Sequence, residues 1–108
     1  MDRFDILPSH VVTVVLLNFT DQALRNMGDT SGLDAAKQGV QAMGGEWKAW
    51  YLTMGQYDAV VIVEAPDDET AARIALAQAS TGGVRSQTLR AFTEDEYRLL
   101  AASLPRSQ

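Results

Sequence analysis

Two segments of the chain, Val11–Phe19 and Asp58–Ala65, are apolar at both odd and even positions. Successive side chains on a β-strand point to opposite sides of the sheet, so both faces of these segments are apolar. One parity contains Val11, Val15, Leu17, Val61 and Val63, and the other contains Val12, Val14, Leu16, Val60 and Ile62. A sheet face in contact with water usually carries polar residues. Both faces of this sheet are therefore expected to be covered.

The pattern around these segments predicts two more strands and several helices. The predicted strands are Glu46–Met54 and Val84–Phe92, and the first is joined to the next strand by the short connection Gly55–Tyr57. The predicted helices are Asp21–Met27, Ser31–Met43, Asp67–Ala79 and one that follows Thr93. Ser31 with Asp34, and Thr93 with Glu96, have the spacing of a capping box.

The predicted order is β-α-β-β-α-β followed by a C-terminal helix. This order folds most simply as an α+β domain, with a four-stranded antiparallel sheet and both longer helices on one face. The first and third strands lie in the centre of such a sheet. The expected organisation is an N-terminal arm over residues 1–10 and a single domain over residues 11–104.

The second face of the predicted sheet has two candidate covers. The C-terminal helix and the N-terminal arm could shield it in a monomer, although the helix alone is too short. The alternative is self-association through the sheet, as a homodimer or higher homo-oligomer, which we favour because large apolar patches are rare on monomers. Trp47 and Trp50 have opposite parity on the second strand, so one is expected in the core and the other on the open face or its rim.

Composition excludes several classes of function. The 108 residues carry 9 basic and 14 acidic side chains, a net charge of −5, which disfavours nucleic-acid binding. The absence of cysteine excludes disulfides and thiolate sites. No apolar run approaches the roughly 20 residues of a membrane span. Because residues 1–10 lack the pattern of a secretory signal, a cytoplasmic location is expected.

Several segments of the chain resemble the GYD-domain family of uncharacterised bacterial proteins. The matching segments are Asn18–Gln22, Leu52–Asp68, and Thr88–Thr93 with Glu96 and Tyr97. Gly55, Tyr57 and Asp58 correspond to the Gly, Tyr and Asp after which the family is named. The resemblance covers about residues 11–104 and implies a ferredoxin-like fold of the dimeric α+β-barrel type. It supplies no catalytic residue, and the N-terminal arm departs from the family pattern.

A shorter resemblance is to the effector-binding domains of the leucine-responsive regulators. These domains also place a Gly-x-Tyr-Asp turn before the third strand and a Gly-Val pair, here Gly83 and Val84, before the fourth. In those regulators the turns lie near amino-acid effector sites between subunits. A shared fold is not evidence of a shared function.

The Gly-Tyr-Asp turn and the aromatic residues before it form the candidate ligand-binding site, consisting of Gly55, Tyr57, Asp58, Trp50 and Tyr51. The alternative is structural, because glycine permits a positive φ and an aspartate hydrogen-bonds the backbone of a turn. His10 lies on the arm, and the acidic run Asp67–Glu69 lies at a helix start. We therefore expect no catalytic residue, no metal site and no cofactor.

Three functions remain open. The favoured one is a homo-oligomeric module that binds a small molecule or regulates another process. The second is a cofactor-free enzyme of the oxygenase or isomerase class, with Asp58 or Glu64 as a base, which needs a pocket above about 300 Å³. The third is a structural interaction protein whose turn only builds the oligomer.

Overall fold

The computed structural model describes residues 10–105. Its elements are β1 (Val11–Phe19), α1 (Asp21–Arg25), α2 (Ser31–Ala42), β2 (Glu46–Leu52), β3 (Ala59–Ala65), α3 (Asp68–Ala79), β4 (Val84–Ala91) and α4 (Glu94–Ala102). This order confirms the predicted arrangement of strands and helices. The arm predicted over residues 1–10 lies outside the described residues, apart from His10.

The four strands form one antiparallel sheet in the order β2-β3-β1-β4. β1 and β3 are therefore central, as predicted. Their register pairs Val11 with Ala65 at one end and Leu17 with Ala59 at the other. The fold is α+β and consistent with the ferredoxin-like topology.

One parity of the central strands faces the helices, a choice that the sequence leaves open. Leu17, Val61 and Val63 belong to one core cluster together with Val40 of α2 and Ile74 of α3. Val11 is buried as well. The other parity lies on the opposite side, which we call the open face. Its central residues are Val12, Val14, Leu16, Val60 and Ile62, all of them only half-buried.

The prediction that Trp47 and Trp50 point to opposite faces is wrong. A bulge shifts the register between Trp47 and Ala49, so that Trp47 pairs with Val63 and Trp50 pairs with Val61. An extra residue in one strand resets the alternation of side chains beyond it. Both tryptophans consequently pack against the core on the helix side of the sheet.

One predicted strand boundary and one predicted helix cap are also corrected. β2 ends at Leu52 rather than Met54, so the hairpin connection is Thr53–Asp58, closed by a hydrogen bond from Thr53 N to Asp58 O of 2.9 Å. Helix α2 has Thr30 as its N-cap, without a side-chain cap bond, and the Ser31 N–H donates to Asp29 Oδ1. The capping box predicted at Ser31 is therefore absent.

The capping box predicted at the last helix is confirmed. The Thr93 hydroxyl accepts from Glu96 N at 3.1 Å, and Glu96 Oε1 accepts from Thr93 N at 2.7 Å. The apolar positions of α4 are less buried than its spacing suggests, because Tyr97 is 65% exposed and Leu104, just beyond the helix, is 69% exposed. The five central residues of the open face are only half-buried within residues 10–105.

Candidate ligand-binding site

A cavity of about 670 Å³ lies between the helix-facing side of the sheet and the three helices α1, α2 and α3. It exists because the helices present small side chains toward the sheet. Ala36 and Gly39 of α2, and Ala71 and Ala75 of α3, all line it. The space is open to solvent, since lining residues such as Gln22, Thr30 and Thr88 are exposed. Clefts of roughly 300–1,000 Å³ are typical of ligand sites, so this space is a candidate binding site.

Gly45 packs tightly against two residues that line the cavity, Val40 and Ile74. A Cβ atom on this residue would lie 2.7 Å from Ile74 Cδ1 and 2.9 Å from Val40 Cγ1. Such distances are shorter than real carbon–carbon contacts, so only glycine lets the start of β2 approach α2 and α3 this closely. Gly45 thereby seats the two helices on the sheet next to Trp47.

The floor of the cavity is formed by the sheet and includes both tryptophans. Trp47 and Trp50 lie beside Val61 and Val63 of β3 and Val15 of β1, all of which line the cavity. The bulge in β2 is what brings the two indoles to one side. Aromatic side chains supply large, flat apolar contact surfaces.

The polar groups that line the cavity are almost all neutral. Thr13 Oγ1 donates to Val63 O at 3.3 Å, and Gln78 Nε2 donates to Ala36 O at 3.4 Å. Other neutral polar residues of the lining include Gln22, Asn26, Ser86 and Thr88. Asp29 is the single ionisable residue among the described lining residues, and it is exposed. The hydrogen bond from the Ser31 backbone holds the pKa of Asp29 below its usual value.

Of the five residues predicted to bind a ligand, only Trp50 lines this cavity. Tyr51 pairs with Val60 on the open face and is 61% exposed. Gly55 has φ of +135°, a conformation that favours glycine, at the exposed tip of the hairpin connection. The structure thus separates the predicted site into a cavity residue and a group around the turn.

Tyr57 spans the open face at the end of β1. Its hydroxyl donates to Gln87 Oε1 at 2.6 Å, and Gln87 of β4 pairs with Leu16 of β1. The tyrosine side chain therefore reaches from the hairpin connection past the central strand to the far edge strand. This contact ties the turn to β4 on the side of the sheet opposite the cavity.

Asp58 is engaged with the backbone of β1. Its Oδ2 accepts from Phe19 N at 2.8 Å, and its own N–H donates to Leu17 O at 2.8 Å. Thr53 Oγ1 donates to Tyr57 O at 2.6 Å on the other side of the connection. These contacts give the turn the structural role that we weighed against ligand binding, and the predicted ligand role of Tyr57 and Asp58 stays a prediction.

Glu64, the other carboxylate considered as a base, lies on the open face at the β2 edge. Lys48 Nζ is 3.1 Å from one of its oxygens and 3.4 Å from Glu46. Hydrogen bonds to these carboxylates raise the pKa of Lys48 above its usual value, and the bond to Glu64 contributes more than the bond to Glu46. Neither Glu64 nor Asp58 lines the cavity.

Trp47 is one of the cavity residues missing from the predicted site. Strict alternation along β2 would place Trp47 and Trp50 on opposite faces of the sheet. The sequence of β2 contains no glycine or proline that would indicate a bulge. The small-residue face of α3, with Ala71 and Ala75, was the available signal that space lies under the helices.

No cluster of three His, Cys, Asp or Glu side chains in residues 10–105 is placed to hold a metal ion. None of the helices in that range is long and apolar enough to cross a membrane.

Comparison with known proteins identifies a family. No curated protein is significantly similar to the chain. The sequence pattern of the GYD domain, however, matches residues 14–101, which includes all four strands in part or in full. The match confirms the resemblance carried by Gly55, Tyr57 and Asp58, and the chain belongs to the GYD-domain family.

Proposed function

We propose that this protein is a homo-oligomeric module that binds an apolar small molecule in the cavity between its sheet and helices. The proposal rests on the cavity, which has a volume of about 670 Å³ and is lined by two tryptophans and by aliphatic side chains. Typical ligand sites are apolar clefts of roughly 300–1,000 Å³ with a few polar groups. A bound ligand would contact α1 and α2 and could change their positions over the cavity. Such a change would give a regulatory role a structural basis.

The sparse packing between the helices and the sheet supports the proposal that a ligand binds between them. Val40 is the single buried residue of α2, while Thr70 and Ile74 are those of α3. Helices of this length in a small domain usually bury a continuous apolar stripe. A bound apolar molecule would complete the packing that these helices lack.

Binding is favoured over catalysis by the chemistry of the lining. A cofactor-free oxygenase or isomerase needs an acid or base within hydrogen-bond reach of its substrate. Among the described lining residues, the exposed Asp29 is the single carboxylate, and the two candidates Asp58 and Glu64 lie elsewhere. The size of the cavity alone would allow an enzyme, so this class remains the second candidate.

The open face supports self-association. Val12, Val14 and Leu16 are flanked by Val60 and Ile62 of β3 and by Leu89 of β4, which is 41% exposed. Full burial of an aliphatic side chain stabilises a protein by roughly 1.5–3 kcal/mol relative to exposure. A second copy that packs its own open face against this one would complete the burial of these side chains. Each chain would keep its cavity on the outer side of the pair.

Binding of Nile red, an uncharged dye that fluoresces in apolar surroundings, tests whether the cavity accepts an apolar ligand. The variant Ala75→Phe places a ring in the cavity, whereas Ala72→Phe places the same ring on the exposed side of α3. The proposal expects a saturable Nile red signal that Ala75→Phe weakens at least about tenfold and Ala72→Phe leaves unchanged. Equal binding by both variants would place the dye outside the cavity and contradict the proposal.

A further inference from the structure

The cavity has a charge pattern as well as a shape. Its described lining contains no Lys, Arg, His or Glu, although the chain as a whole carries 9 basic and 14 acidic residues. All of the basic side chains in residues 10–105 therefore lie outside the lining. Apart from the exposed Asp29, its polar residues carry hydroxyl and amide groups, such as those of Ser86, Thr88 and Gln78, which donate and accept hydrogen bonds without a net charge.

This pattern discriminates between ligands of the same size. A carboxylate or phosphate that enters the buried part of the site, beside Val61 and Val63, loses its water without gaining a cation. An unpaired charge away from water is strongly disfavoured. A neutral ligand with a hydroxyl, carbonyl or amide group can instead pair with the hydroxyl and amide side chains. The indoles of Trp47 and Trp50 in the lining favour contact with an aromatic ring.

Resting on the proposed binding function, we infer that the ligand is an uncharged aromatic molecule, and that the cavity selects against anions, including free amino acids. Such selectivity differs from that of a sensor of amino-acid effectors. Such an effector carries a carboxylate at neutral pH and would require a cation that the described lining lacks.

Naphthamide and naphthoate are a matched pair of probes for this selection. They have nearly the same shape, but the first is neutral and the second is an anion. The two affinities are measured by competition with Nile red for the full chain. Naphthamide should bind at least about tenfold more tightly than naphthoate. A tenfold ratio requires only a small part of the free-energy cost of burying an unpaired charge.

A charge variant tests the physical cause. Thr88 lines the cavity on β4 and pairs with Val15 of the floor, and its exposed position tolerates a long side chain. Thr88→Lys should supply the missing cation and raise naphthoate affinity by about tenfold while naphthamide changes little. Gln38→Lys adds the same charge on the exposed side of α2, outside the cavity, and should leave the ratio unchanged.

The outcomes separate the two proposals. Preference for naphthamide, reversed or reduced by Thr88→Lys alone, supports the inference. Equal affinity of the two probes, or tighter binding of naphthoate to the wild-type chain, overturns the inference and leaves the cavity as a binding site. Failure of both probes and of Nile red to bind overturns the proposed function and the inference with it.

Discussion

The Asp58 carboxylate accepts a hydrogen bond from the backbone N–H of Phe19 at 2.8 Å, across 39 positions of the chain. The same residue donates its own N–H to Leu17 O. Asp58 thereby joins the hairpin connection to the end of the central strand β1. The Asp of the Gly-Tyr-Asp signature is thus placed to hold the sheet together at this end.

Replacement of Asp58 should weaken the fold rather than the cavity. Asp58→Ala removes the acceptor for a half-buried N–H and should lower the free energy of unfolding by about 1–3 kcal/mol. Asp58→Asn keeps an acceptor oxygen and should lose less. Urea denaturation measures both variants. A large loss of Nile red binding by Asp58→Asn at unchanged stability would instead support the turn as a ligand site.

Both tryptophans should report on the same cavity. In the variants Trp47→Phe and Trp50→Phe, each remaining indole should be quenched less by acrylamide when Nile red is bound, because the ligand covers the floor that both residues line. The chain contains no other tryptophan, so each variant has a single signal. Protection of one indole but not the other would contradict the position that the β2 bulge gives them.

The start of α3 should contribute an acid-sensitive part of the stability. Asp67 Oδ1 accepts from Thr70 N at 2.7 Å, and this backbone hydrogen bond lowers the pKa of Asp67 below its usual 3.8. A carboxylate with a lowered pKa stabilises the fold above pH 3.8, and this contribution is lost as the pH falls through the folded-state value.

Asp67→Ser is the matched variant, because serine also caps helices but does not titrate. The stability of the wild-type chain relative to Asp67→Ser should decline as the pH is lowered through and below 3.8. Thermal unfolding over a series of acidic buffers measures it. A difference that stays constant across these buffers would exclude the Asp67 carboxylate as its source.

Self-association through the open face should be visible in the mass and in the thermal stability. Light scattering at micromolar concentration should give at least twice the chain mass of 11.8 kDa. The melting temperature should rise with protein concentration, because association stabilises only the folded state.

Val60→Asp places a charge in the centre of the open face and should cause aggregation or unfolding rather than a clean monomer. Ala72→Asp, on the exposed side of α3, should keep the mass of the wild type. A well-folded wild-type monomer at high concentration would contradict the proposed oligomer.

The order of the elements and the family were readable from local patterns. β-branched runs, the glycine pair at Gly44 and Gly45, and Thr93 with Glu96 mark structures that depend on a few neighbouring residues. The central positions of β1 and β3 follow from that order, and the two apolar faces follow from simple alternation. These features could be predicted because each depends on residues within one segment of the chain or on the order in which the segments follow one another.

The positions of the side chains around the cavity depended on contacts between segments. The parity of Trp47 and Trp50 pointed them to opposite faces, but the bulge is set by how β2 pairs with β3, and it brings both indoles to the cavity floor. Which face of β1 and β3 meets the helices was likewise open, because Val11 and Val12 begin equally apolar sets. The two apolar parities of β1 and β3 could be read from the sequence. Which parity meets the helices, and how much space lies beneath the helices, depended on strand pairing and helix packing, which join residues distant in the chain.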